Sequence, residues 1–407
     1  MSVGVCVINR NGIALAADSA GTFTGNKMFY NSMNKVFALS KKYVYGAITY
    51  GATSVYNVSI NQLLKEFRAY LDSRDCIDDF FDILPLFNEF IETNNQYYHF
   101  DIDEIDSCNS LIKSLVVQWG KKIKAVINEE EDAADEINQI LDEFDLDIQT
   151  GISIANFDIS QYIKNKYTKL FDEHINNVVP EFRQFEAQKE RFWLSICKYF
   201  NLSLQRETDN TMGLFFAGYG KNDAFPKYVH IEFYTVFGGI TKYKVLERFD
   251  ESKNSARIQP LAQNDVILTF CKGISNTFVN YIPQKTAAII NDKIDSLPLE
   301  FTGEQKAVLK AHFSNCKQAI SSAIDSQIQL KNVDPIIDSV RLIPLPEMAF
   351  LAESLVNITS LKRTYAIDGN QQTVGGPTDV AVLSKGDGFV WIKRKLYFNK
   401  ELNPSYK

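Results

Sequence analysis

The sequence predicts an α+β fold of two antiparallel sheets with helices layered outside them. Strand-like segments open the chain, return in its middle and close it, with long helical blocks between them. Strands and helices do not alternate one for one, as the crossover units of a parallel sheet would require.

The first fifty residues read as strands. Val3, Val5 and Val7 alternate with Gly4, Cys6 and Ile8, and Asn11-Gly12 then signals a hairpin turn. Ile13 to Ala17 forms a small apolar strand that runs into Asp18-Ser19. Lys35 to Leu39 and Tyr43 to Thr49 make a second strand pair around Lys41-Lys42. From Ser54 the period becomes helical, with Ile60, Leu63, Leu64, Phe67 and Leu71 on one face. Helical, acidic sequence continues to about Arg206, and Glu129 to Asp132 reads as a solvated helix start. Strand character returns over Gly213–Tyr219 and Lys227–Tyr234. Residues 265 to about 335 read as helical, with Val308, Ala311, Ile320 and Ile324 on core-facing sides, and Met348 to Ile358 as a further helix. Thr378–Leu383 and Phe389–Arg394, around Lys385-Gly386-Asp387-Gly388, close the chain as a hairpin. The expected division is a core of 2–54 and 207–407, with a helical extension at about 275–335, and an enlarged helical insertion at 55–206.

Composition narrows the function classes. With 43 basic and 50 acidic side chains the net charge is −7, which disfavours a general nucleic-acid binder. The six cysteines are dispersed with no C-x-x-C pair, so neither zinc nor a redox motif is signalled, and a reducing, cytoplasmic setting is expected. No secretory signal and no long apolar run is present, so no membrane association is expected. The four histidines are scattered and suggest no nucleophile–base pair, and no cofactor motif stands out.

The chain start does suggest chemistry. A hydroxyl needs a base to become a nucleophile, and a free α-amine, with a pKa of about 7.7–8, supplies one on the same residue. Ser2 meets this requirement once Met1 is removed. A hairpin turning at 9–12 would lay Ser2 beside Asp18, a carboxylate ending a buried strand and therefore in need of a partner. Lys35 is a natural partner, and its ammonium near Ser2 would favour loss of the hydroxyl proton; a purely structural ion pair is the alternative.

Gly12-Ile13-Ala14-Leu15-Ala16-Ala17-Asp18-Ser19 resembles the "GVVLAADSR" strand of proteasome β subunits and their bacterial relatives. Asn34-Lys35-Val36-Phe37 resembles the family's "KKV/RKV" element, and Gly46 to Thr53 its glycine-rich turn into the first helix. Ser2 lies sixteen residues before Asp18, the spacing of the family's catalytic threonine and aspartate. Thr211 to Tyr219 resembles the strand that opens the second half of that fold, and Val374-Gly375-Gly376-Pro377-Thr378-Asp379-Val380 its "SGG-x-V-x-V" strand. The resemblance covers roughly half the chain, at about 2–60, 211–275 and 340–395.

This resemblance implies a four-layer αββα N-terminal-nucleophile hydrolase sandwich. Ser2 would attack a peptide or amide carbonyl, Asp18 and Lys35 would tune it, and the backbone at Tyr50 and Gly51 would form the oxyanion hole. The match has departures. Serine replaces threonine, Tyr50 stands where the family has glycine, and Gln263-Asn264-Asp265 stands where a supporting serine is expected. Asp338 and Ser339 are the nearest match to the family's supporting Asp and Ser. The resemblance further implies a peptide or protein substrate, no cofactor, and a homo-oligomer of the ring-forming kind, with an ATPase or adaptor partner left open. Two alternatives stand beside it: a catalytically inactive structural subunit of an assembly, and an amidase acting on a small molecule.

Overall fold

The structure, a computed structural model, describes residues 2–23, 28–129, 133–154, 157–202, 211–252, 256–298, 301–365, 374–396, 398–399 and 401–402. Strands β1 (Val3–Asn9), β2 (Gly12–Ala17), β3 (Gly21–Phe23), β4 (Met28–Tyr30), β5 (Val36–Ala38), β6 (Tyr45–Gly51), β7 (Ser54–Val55) and β8 (Val58–Ser59) come first. Helices α1 (Ile60–Asp72), α2 (Ile83–Thr93), α3 (Phe100–Glu129), α4 (Ala134–Thr150), α5 (Ser160–Val178) and α6 (Glu186–Tyr199) follow. Next are β9 (Met212–Gly218), β10 (Lys227–Phe237), β11 (Ile240–Asp250) and β12 (Arg257–Ala262). Helices α7 (Asp265–Lys272), α8 (Asn276–Asp295), α9 (Gly303–Phe313), α10 (Cys316–Ile328), α11 (Asp334–Leu342) and α12 (Leu345–Tyr365) lead to β13 (Asp379–Ser384) and β14 (Gly388–Lys393).

The fold is α+β with two five-stranded antiparallel sheets, ordered β12-β1-β2-β13-β14 and β11-β10-β9-β6-β5. Its contacts define two compact units. The first is Met1–Tyr50, Ala217–Tyr228 and Phe249–Lys407; the second is Gly51–Phe216 and Val229–Arg248. Much of β9, β10 and β11 belongs with the helical block in the second unit.

In the first unit, β1 and β2 pair from Gly4↔Ala17 to Asn9↔Gly12, leaving Arg10-Asn11 as the two-residue turn. Both strands are buried on both faces, which explains their near-continuous apolar sequence. Val3, Val5, Val7, Ala14 and Ala16 join one core cluster with Met348, Ala352 and Leu355 of α12. The opposite face meets β5 and β6 at close range. A Cβ on Gly46 would sit 3.0 Å from Leu15 and 3.2 Å from Leu383, and one on Gly4 would sit 3.1 Å from Ile48. Small residues at these points let the two sheets approach.

The hairpin also anchors a helix. The side-chain amide of Asn9, fully buried, donates to the carbonyls of Val340 (2.8 Å) and Ile343 (2.9 Å) at the end of α11. These are among the carbonyls a helix C-terminus leaves unpaired. Asn9 Oδ1 meanwhile accepts the Asn11 backbone N–H at 2.8 Å.

In the second unit, Phe67 of α1 and Phe87 of α2 pack on Phe216 of β9, and Phe87 reaches Phe233 of β10. Helices α3 to α6 pack on one another around their own core, with Trp119, Phe144, Phe171, Phe192 and Trp193 at its centre. Glu129 ends α3 instead of starting a helix, and residues 130–132 of that acidic run lie outside the described residues.

Val308, Ala311, Ile320 and Ile324 do not face a core. Helices α9 and α10 bury no residue, and Val308 is 69% exposed. Periodicity identified these helices but could not supply a partner for their apolar side.

Replacing Asn9 with Ala removes the donor to the Val340 carbonyl and leaves the Ile343 carbonyl to the Asn11 side-chain amide at 3.1 Å. The expected cost is about 2–3 kcal/mol, read as a lower urea midpoint at unchanged m-value. Asn11→Ala, at an exposed position, is expected to cost about 0.5 kcal/mol.

Candidate active site

The β1–β2 register carries the pairing one step past Ala17, so Asp18 N–H donates to the Val3 carbonyl at 3.1 Å. The Asp18 side chain then turns back into the protein, where it is 1% exposed. Its Oδ1 accepts the Val3 backbone N–H at 3.0 Å and Lys35 Nζ at 2.6 Å. Its Oδ2 accepts the backbone N–H groups of Ala20 at 3.2 Å and Gly375 at 3.1 Å. A carboxylate offers about four acceptor positions, and four donors meet this one.

Lys35 directly precedes β5, and its carbonyl accepts Thr49 N–H at 2.9 Å, which fixes its backbone beside β6. Its side chain is almost completely enclosed. Burial pushes the Lys35 ammonium below the ordinary lysine pKa; Asp18 opposes this by charge and hydrogen bond, and the positive charge of Lys395 adds to the depression. A buried lysine of this kind gives up its proton more readily than an exposed one.

Ser2 is 8% exposed. Its carbonyl accepts Gln263 N–H at 3.1 Å, just beyond the point where Val3 pairs with Ala262 of β12. The strand that begins at Val3 is thus flanked by β12 and β2, and the residue after Ser2 is bonded at both N–H and C=O to Asp18. The segment before β13 completes the surroundings. Ser19 N–H donates to the Gly375 carbonyl at 3.2 Å, and its hydroxyl donates to the Pro377 carbonyl at 2.5 Å. Gly376 adopts φ 74°, and a Cβ there would sit 3.1 Å from Asn31, a conformation and a space that suit glycine.

A second buried couple lies on the neighbouring strand. Asp379 pairs with Ala17 across β13 and β2, and both its oxygens are taken by Lys395, one by the backbone N–H at 2.9 Å and the other by Nζ. The sequence places Gly375 and Asp379 only within a strand motif and gives Lys395 no role. The signal for Asp379 was the one that singled out Asp18: a carboxylate adjoining an apolar strand.

Tyr50 and Gly51 end β6. Gly51 has φ 83°, and a Cβ there would fall 2.3 Å from the Thr211 carbonyl oxygen. Asp338 and Ser339 lie on α11, where Asp338 is exposed and pairs with Arg341 at 3.2 Å, and the Ser339 hydroxyl donates to the Pro335 carbonyl at 3.0 Å. Asp265 faces α12, bonded to Lys362 and Arg363. Among the described residues no group of three or more His, Cys, Asp or Glu side chains could hold a metal ion, and no helix is long and apolar enough to cross a membrane. No protein-family model matches the chain, and a search of curated proteins finds no match.

The two halves of the ion pair are expected to differ in their cost of removal. Lys35→Met leaves Asp18 with three backbone donors, whereas Asp18→Ala orphans those donors and a buried ammonium. Lys35→Met is expected to cost about 3 kcal/mol and Asp18→Ala about 5 kcal/mol or more, by urea unfolding. The lowered Lys35 pKa also sets a pH window. Between that lowered value and about 10.4, the unfolded chain holds the proton more tightly, so stability rises with pH. The unfolding free energy of the wild type is therefore expected to rise with pH relative to Lys35→Met across this window.

Proposed function

We propose that this chain is a proteasome-β-type N-terminal-nucleophile hydrolase that cleaves peptide or amide bonds, with Ser2 as nucleophile once Met1 has been removed. The observation that carries the reading is the Val3 backbone N–H on the carboxylate that also holds Lys35. It fastens the start of β1 to a buried carboxylate–ammonium couple.

In this mechanism the neutral α-amine of Ser2 accepts the hydroxyl proton as Oγ attacks the substrate carbonyl carbon. The negative charge that develops on the carbonyl oxygen is met by backbone N–H donors, with Tyr50 proposed as one. The C–N bond then breaks, the leaving amine takes the proton back from the α-ammonium, and an ester to Ser2 remains. Water hydrolyses this ester by the same proton relay, releasing the acid and restoring the hydroxyl. Lys35 acts electrostatically, favouring loss of the hydroxyl proton, and Asp18 holds Lys35 in place.

The finer fold assignment belongs to the same proposal. A four-layer αββα sandwich is supported by α12 on one face of the β1–β2 sheet, by β5 and β6 on its other face, and by α1 and α2 on β9 and β10. A non-catalytic assembly subunit is the second reading, and the exposed Phe278, Tyr281, Ile289 and Val308 of α8 and α9 favour it.

Intact-protein mass spectrometry with a β-lactone or epoxyketone probe separates the two readings. Hydrolase function predicts a chain lacking Met1 and one adduct on the wild type. Ser2→Ala is expected to react at least about a thousandfold more slowly. The labelling rate should rise with pH through about 7.7–8 as the α-amine loses its proton. Retained Met1, or equal labelling of Ser2→Ala, defeats the catalytic reading.

A further inference from the structure

Lys393, Arg394 and Lys395 form a run of three cations at and beyond the end of β14, within the first unit. The fold treats them differently. Lys393 meets Glu353 with its side chain 54% exposed, and the Arg394 guanidinium lies 4.5 Å from the centre of the Trp391 ring, at an exposed position. Lys395 turns inward, and its side chain is 12% exposed. Its Nζ bonds one oxygen of Asp379, and its backbone N–H donates to the other at 2.9 Å. Both ends of the residue are thus held by one buried carboxylate.

The place of this couple matters more than its presence. Asp379 pairs with Ala17, the residue before Asp18. Strand β5, which Lys35 directly precedes, packs against both β2 and β13. The Lys35–Asp18 and Lys395–Asp379 couples therefore lie side by side in one enclosed region. Among the described residues, the charged groups acting on Lys35 are Asp18, which favours its proton, and Lys395, which disfavours it. Asp379 acts by holding Lys395 in place. Charges in a poorly solvated interior are weakly screened, so one ammonium influences another without touching it.

We propose that Lys395 is a positioning residue of the Ser2 site: clamped by Asp379, it holds a second positive charge against Lys35 and so sets how Lys35 acts on residue 2. In this scheme Lys395 touches neither substrate nor the reacting atoms and works only through Lys35. Its consequence for catalysis rests on the hydrolase reading, whereas its consequence for Lys35 does not.

Urea unfolding of the full chain from about pH 6 to about pH 10 tests this, with wild type, Lys395→Met and Lys395→Arg each compared with the same protein carrying Lys35→Met. Each difference isolates the pH dependence that Lys35 contributes. In the wild type that difference rises with pH from the lowered Lys35 pKa up to about 10.4, where the unfolded lysine loses its proton. Without the Lys395 charge the folded-state pKa of Lys35 climbs, so the rise should begin at higher pH in Lys395→Met. Lys395→Arg keeps the charge and should restore the wild-type onset. If Lys395→Met does not fold, the double variant Asp379→Asn/Lys395→Met removes the whole couple and should show the same upward displacement. A purely structural Lys395 would lower stability equally at every pH; an onset that stays in place when the Lys395 charge is removed overturns the proposal. Labelling by the β-lactone probe is the separate catalytic arm. Lys395→Met should label severalfold more slowly than wild type and Lys395→Arg near the wild-type rate, while a wild type that does not label counts against the hydrolase reading and leaves the Lys35 result standing.

Discussion

The Asp18 carboxylate is the constraint on which the Ser2 neighbourhood depends. Enclosing an ion of this size costs several kcal/mol unless its acceptor positions are filled. Here the donors come from four segments: the start of β1, the turn after β2, the residue before β5, and Gly375 before β13. Gly375 is separated from Asp18 by 357 positions in sequence. The carboxylate is therefore stable in its place only when both ends of the chain have folded around it. Local order at Ser2 and global order of the first unit are aspects of one equilibrium.

The small residues of β1, β2 and β6 make this enclosure possible. Gly4, Gly46 and the alanines of β2 let one sheet lie close on the next, which excludes water from the strand ends where Asp18 and Lys35 meet. Helix α12 closes the other face, with Met348, Ala352 and Leu355 against the valines of β1. The α3–α6 bundle has an aromatic core of its own, so its packing does not draw on these residues.

Local signals made the first hairpin legible. The alternation of Val3, Val5 and Val7 and the turn within Asn9–Gly12 are decided within about ten residues, the range over which turn chemistry acts; the Asn-Gly signal marked the turn one residue late, since Gly12 already pairs with Asn9. Asp18 was legible because a carboxylate at the end of an apolar strand must find a partner, and Lys35 was legible as the cation before the next strand. Strands β11 and β12 were harder to read. Thr241, Lys242, Tyr243 and Lys244 interrupt the apolar pattern of β11, and Pro260 lies within β12, which is tolerated there because β12 is an edge strand. Lys395 follows Lys393 and Arg394 in a basic run that reads as solvated, and only folding reveals that one of these three turns inward to Asp379. The apolar positions of α9 and α10 specified helices but not what those helices pack against, since periodicity contains no information about a partner.

The two buried couples are best understood together. Asp379 pairs with Ala17, so the two carboxylates lie on adjacent strands about one register step apart, each neutralised by its own lysine. Without those lysines, the two carboxylates would repel in a poorly solvated setting. With them, a second positive charge acts on Lys35, in the same direction as burial and against Asp18. The proton affinity of Lys35 is therefore set jointly by β2 and by the chain beyond β14. Any chemistry at residue 2 that depends on Lys35 is coupled, through Asp379, to residue 395.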